Sequence, residues 1–177
     1  MITYKNLPGL EGKTNKPGLY QNIYAAPLRA FDVIAAPVDR EASDKDMVTI
    51  VADHTFKTGE GFIKLYSTKD TAQLTAELIG ELDGFNMNPK IEFFHPGTDG
   101  DALAFANRAP YDEWIFLVKT IEGTHLQIGE EDMGANVRQA NAATGTLSSG
   151  RKGFTYMADS FNSYFIYEGA ITEKPVV

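Results

Sequence analysis

From Met47 to Thr172 the chain is written in short runs with an apolar residue at every second position, and each run is cut by Gly, Pro or Asn. That period is the strongest constraint on the fold, because successive side chains point to opposite faces only in a strand. Frequent turn residues leave room for antiparallel neighbours joined by tight connections, and little room for crossover helices. The expected architecture is mostly β, an antiparallel β-sandwich or partial barrel of about eight to ten short strands with one packed α-helix.

MVTIVAD from Met47, GFIKLYST from Gly61 and AQLTAELIGELDG from Ala72 all alternate. The third also reads as a helix capped by Ser67 or Asp70, since Ala, Glu and Leu are good helix formers. Strict alternation decides for a strand over Gln73 to Glu81: Leu74, Ala76, Leu78 and Leu82 take one side, and Gln73, Thr75, Glu77 and Glu81 the other. Gly80 would also cost a helix about 1 kcal/mol relative to Ala. A further strand runs from Lys90 to His95. Thr98 or Asp99 then caps a helix with Asp101 in its first turn and an apolar stripe of Ala102, Leu103, Phe105 and Ala106, ended before Pro110. EWIFLVKT and THLQIG make a hairpin. ANVRQANAA opens a strand and loop, the basic turn SSGRKG leads into FTYMAD, and SFNSYFIYEGAIT is an aromatic strand.

The start is different. Pro8, Gly9, Gly12, Pro17 and Gly18 exclude regular structure, so residues 1–20 read as an extended arm, followed by a β-sandwich domain over 21–172 and a tail at 173–177. Leu19 to Ala26 is strand-like, Pro27 and Pro37 bracket LRAFDVIAA as a short helix or strand, and Arg40 to Asp46 is a charged loop. A length of 177 residues fits one domain. The formal charge of −8 makes the surface acidic and disfavours ordinary phosphate binding. No apolar run is long enough to span a bilayer, and MITYKNLPGLEGK lacks the apolar region of a secretory signal. With no cysteine there is neither a disulfide framework nor a thiolate nucleophile.

Catalytic equipment is thin. Asp53 and His54 are adjacent, so in a strand they face opposite ways, and no nucleophile motif accompanies them. Ser148 and Ser149 sit in a Gly-bounded loop. His54, His95 and His125 have no metal-ligand spacing. Asp99 and Asp101 are explained by helix capping in place of a calcium loop, and Glu130, Glu131 and Asp132 by a solvated turn. Tyr156, Phe161, Tyr164, Phe165 and Tyr167 read as sheet packing, with a stacking platform for a sugar or base as the alternative. No catalytic, cofactor-binding or metal residue is assigned, and the chain is not expected to be an enzyme.

The order of pieces is more telling. AELIGELDGFNMNPKIEFFHPGTDGDALAFANRAPYDEWIFLVKT, then GTHLQIG, then TGTLSSGRKGFTYMADSFNSYFIYEGAI, resembles the tail tube (major tail) proteins of tailed bacteriophages, in particular those of phages infecting Bacteroidetes. In that pattern a strand ending in Gly-Glu-x-Asp-Gly precedes an E-F-F-x-P-G strand, a short Ala-rich helix, an apolar strand, and a late G-F-T strand paired with an aromatic one. The likeness covers Ala72 to Thr172.

The resemblance implies a virion structural protein of the tail, assembled in the host bacterial cytoplasm. Copies would close into rings, commonly hexamers, that stack into a tube contacting other tail proteins, with no membrane involved. DNA would pass through the lumen without specific binding. The arm would reach neighbouring rings through Leu7, Leu10 and Leu19, and an acidic, uncovered sheet face carrying Glu77, Glu81 and Glu92 would line the channel, with Ile79 as the apolar exception on that face. The alternatives are another virion protein of related fold (tail terminator, neck or head decoration) or a monomeric glycan-binding β-sandwich.

Overall fold

Residues 4–9, 14–146 and 148–175 are described by a computed structural model of the chain. The strands are β1 (Leu19–Pro27), β2 (Phe31–Val33), β3 (Thr49–Ile50), β4 (Thr55–Phe56), β5 (Ile63–Tyr66), β6 (Gln73–Ile79), β7 (Asn86–Pro96), β8 (Glu113–Thr120), β9 (His125–Ile128), β10 (Ala135–Ala143), β11 (Gly153–Asp159) and β12 (Phe165–Tyr167). Among the described residues the one α-helix is α1 (Gly100–Arg108). The fold is mostly β, consistent with a β-sandwich with one packed helix.

β8 organises the sheet. One edge pairs with β1 over its whole length, from Leu19 opposite Thr120 to Pro27 opposite Trp114. The other edge is shared: β9 takes Phe116 to Lys119, and β10 takes Glu113 and Trp114. The sheet therefore divides at β8 into two layers, β5–β1–β8–β9–β12–β3 and β10–β11–β7–β6. The corner needs a residue without a side chain, because a Cβ on Gly129, at φ +92°, would lie 2.5 Å from the Trp114 carbonyl oxygen. At the far end the layers approach again: Ser67 N–H donates to Gln21 O at 2.7 Å, and Thr68 N–H to Phe94 O at 2.9 Å.

Between the layers lies the first core, with Ile23, Ile91, Phe93, Trp114, Phe116, Val118, Phe154 and Tyr156 buried against one another. A second core covers the other face of β1 and β8, where Ile115 and Leu117 pack on Phe31, Ile50, Phe62, Phe165 and Tyr167. Five consecutive residues of β8, Trp114 to Val118, are thus buried. This explains why EWIFLVKT is nearly continuous in apolar residues where other strands alternate. Each such side chain contributes about 1.5–3 kcal/mol on burial.

The helix follows its sequence signals. Asp99 is the cap, its carboxylate accepting from Ala102 N–H at 3.0 Å. Ala102, Phe105 and Ala106 face the first core, and Leu103 is exposed. Phe105 meets Trp114 and Tyr156 edge-on, with centroids 5.4 and 5.3 Å apart. Tyr156 hydroxyl donates to Ala102 O at 2.9 Å, and burial pushes its pKa up to about 12. Pro110 sits in a 3-10 turn, Ala109–Tyr111, that ends the helix.

Several elements differ from their sequence expectation. MVTIVAD yields only β3, because beyond Ile50 the chain leaves the ladder to place Asp53 against Ala170 N–H and the His54 ring in the interior. LRAFDVIAA becomes a 3-10 turn, Leu28–Ala30, followed by β2. β6 stops at Ile79, since Gly80 adopts φ +111° and turns the chain, so Glu81 and Leu82 belong to the connection rather than to the strand. The aromatic strand shortens to β12. At the end of the chain, Phe62 bridges Glu173, and Lys174 N–H donates to Phe62 O at 3.0 Å. No helix among the described residues is long and apolar enough to cross a membrane.

Candidate assembly surface

The layer β10–β11–β7–β6 has one face in the core and one largely bare; at one corner the Ser160–Phe161 segment covers the outer face, so that Asn88 is buried with its Nδ2 donating to Ser160 O at 2.7 Å. Ala158, Tyr156 and Phe154 of β11, and Ile91 and Phe93 of β7, point inward. The intervening positions point outward, and the cross-strand register fixes which of them share the bare face. Met157 lies opposite Glu92, and Thr155 opposite Phe94. Gln73 lies opposite Glu92, Thr75 opposite Lys90, and Glu77 opposite Asn88. Gln139 and Asn141 continue the face on β10.

Glu77 and Glu92 are therefore brought together on one uncovered face, with Ile79 beside them at half burial. Glu81 is not on it. The face is also less acidic than the sequence implied, because Lys90 lies between the two glutamates and pairs with Glu77 at 3.7 Å. Arg138 neutralises Asp159 at 2.9 Å. Near the β10–β11 turn the Arg151 guanidinium sits 6.0 Å from the Phe94 ring centroid. Lysine at position 90 was visible in the sequence; its pairing with Glu77 needs the β6–β7 register.

Among the described residues both ends of this layer are open: β6 pairs with β7 alone, and β10 from Arg138 onward pairs with β11 alone, its contact with β8 ending at Asn136. Two free edges on opposite sides of one sheet were not legible from alternation, which gives strands but not their neighbours.

The three arm leucines separate. Leu7 is almost wholly exposed. Leu19 opens β1 and packs on the first core, so its burial is internal to the chain. Leu10 lies outside the described residues. Tyr4, Lys5 and Leu7 lie beside the loop at 40–48, lining an open groove of about 1440 Å³, and Lys5 pairs with Asp44; Asn15 to Gly18 lie instead beside Ala72 to Leu74, with Lys16 N–H donating to Glu122 Oε1 at 3.2 Å.

The polar residues weighed as chemistry have structural partners. His54 is buried, with Nδ1 accepting from Ala35 N–H at 3.0 Å and Nε2 2.8 Å from Gln127 Oε1. Asp53 turns away to Ala170 N–H at 2.7 Å. Ser148 and Ser149 lie exposed in the turn after β10. Among the described residues no three His, Asp or Glu side chains converge as a metal site. Glu131 and Asp132 are solvated as expected, but Glu130 is buried and paired with Arg40. Tyr156, Phe165 and Tyr167 are buried in the two cores, so these aromatic faces are used in packing; Phe161 and Tyr164 are partly exposed.

No known protein family, no curated protein and no solved structure matches the chain.

Proposed function

We propose that this chain is a virion structural subunit whose copies close into rings and stack as a tail tube around a channel for DNA. The observation that carries the reading is the four-stranded layer with two free edges and one bare polar face. A free edge presents unpaired N–H and C=O groups, and isolated proteins normally shield it. Pairing β6 of one copy with β10 of the next satisfies both edges at once and propagates in one direction, as a ring requires. The bare faces would then form one continuous surface, and the polar, nearly charge-balanced composition of that surface suits a conduit that must not grip phosphate. The resemblance over Ala72 to Thr172 supplies the biological setting.

Electron microscopy of the purified protein, with light scattering after size exclusion, tests the reading. The expected result is a species well above the 19.4 kDa chain, resolved as rings or tubes. A strict monomer at high concentration overturns it, and single rings that never stack assign the chain to a terminator or neck position instead.

A further inference from the structure

The edge of β5 holds a peptide that the chain itself supplies. Among the described residues β5 pairs with β1 alone, which leaves its other edge for a further strand. At the entrance to β5, Phe62 N–H donates to Thr172 O at 2.9 Å and Phe62 O accepts from Lys174 N–H at 3.0 Å, so Glu173 stands opposite Phe62 as in a parallel ladder. Two ion pairs set the register, Glu173 with Lys64 at 2.8 Å and Lys174 with Glu60 at 2.9 Å. Ile171, packed on the second core, anchors the segment from one side.

Gly61 shows that the contact is shaped to a peptide backbone. A Cβ there would lie 2.5 Å from Lys174 N, 2.7 Å from Glu173 C and 2.9 Å from Glu173 O, so its three closest neighbours all belong to the segment. Gly61 is not among the glycines at positive φ, so no turn demands glycine; the close approach of the 172–174 backbone does. Two backbone hydrogen bonds and two partly exposed ion pairs are a modest hold, one that opens while both cores stay packed. We propose that the stretch from Glu60 to Lys64 is a strand-addition site for an extended peptide in which an acidic residue precedes a basic one, and that Thr172 to Lys174 fills it in cis as a releasable latch. Main-chain bonds to Phe62 give such a site its affinity, and Lys64 and Glu60 give it its sequence preference.

The full-length chain provides the test. Lys174→Pro removes the N–H that bonds Phe62 O and the ammonium that meets Glu60, while every group of the site stays in place. Position 174 is exposed, so the cores are untouched. The probe is a fluorescein-labelled peptide AITEKP, the sequence of residues 170–175, followed by fluorescence polarisation. In the wild-type chain the tethered segment competes at an effective concentration of roughly millimolar, so the peptide should bind the Lys174→Pro chain several-fold more tightly. Hydrogen exchange at the Phe62 amide should rise in that variant and fall again when the peptide is added. Gly61→Ala combined with Lys174→Pro should abolish binding, and the charge-exchanged peptide AITKEP should bind more weakly. Equal affinity of AITEKP for the wild-type and Lys174→Pro chains, a gain that survives Gly61→Ala, or Phe62 exchange unchanged by Lys174→Pro overturns the site; equal binding of AITKEP overturns its sequence preference. β5 lies in the other layer from the free edges of β6 and β10, so none of these outcomes bears on the ring reading.

Discussion

At the residue scale His54 shows how a group that resembles catalytic equipment serves the fold. Its Nδ1 accepts from Ala35 N–H, which places the proton on Nε2 for Gln127 Oε1, while Gln127 Nε2 donates to Gly129 O at 2.9 Å. Tyr167 stacks on the ring at 4.7 Å and 3°. Burial holds the His54 pKa below its ordinary 6.5, against opposing pulls from the Gln127 bond and the Asp53 carboxylate. The folded chain therefore binds that proton less readily than the unfolded one. Stability is full above about pH 6.5 and is lost as pH falls toward the depressed folded value. Urea unfolding at pH 7.5 and pH 5 should show the lower midpoint at pH 5. His54→Gln should shrink that difference, with a remainder from His125, whose pKa is also lowered by burial and by Lys119. An undiminished difference in the variant would assign the effect to other groups. His54→Ala, which strands Gln127 and the Ala35 N–H, should cost about 2 kcal/mol at neutral pH.

Two elements carry predictions of their own, and they also mark how far the sequence could be read. A Cβ on Gly80 would lie 2.2 Å from Gly84 O at φ +111°, so Gly80→Ala should destabilise by about 1–3 kcal/mol in a thermal melt. Gly84→Ala, whose nearest neighbour stands at 3.6 Å, should cost much less. Asp99→Ala should remove the cap of α1 at about 1 kcal/mol, whereas Thr98→Ala should be nearly silent. The helix and its cap were legible because both signals are local. β6 was legible over Gln73 to Ile79 for the same reason, but its end was not: alternation carries on through Glu81 and Leu82, and only the positive φ of Gly80 breaks it. Long-range features lay deeper still. Nothing near β1 announces that its partner is β8, nearly a hundred residues away, or that β8 shares its second edge between β9 and β10. The candidate surface depends on those pairings, so its residue types, Lys90 included, could be read while its edges and the pairing of Lys90 with Glu77 could not.

For the whole molecule the charge of the bare face decides whether it suits a channel. Within one chain Lys90 offsets Glu77 and Arg138 offsets Asp159, which leaves Glu92 without a cationic partner among the described residues. In the proposed tube each ring therefore contributes a mild carboxylate girdle at position 92, enough to discourage adhesion of DNA. Glu77→Lys with Glu92→Lys reverses that balance while leaving β6–β7 packing intact, because both side chains are exposed. Repeated around every ring, a charge shift of +4 per copy, two carboxylates replaced by two ammoniums, would be felt collectively by the phosphate backbone, with an attraction that weakens steeply with salt. Particles carrying the double variant should build tails of normal appearance and eject DNA slowly, with the delay relieved as ionic strength rises. Glu81→Lys is the matched control: it adds a charge of the same sign to the same hairpin, but in the connection beyond β6, off the bare face. Normal ejection from the double variant, or equal delay from Glu81→Lys, would show that this face does not line the channel.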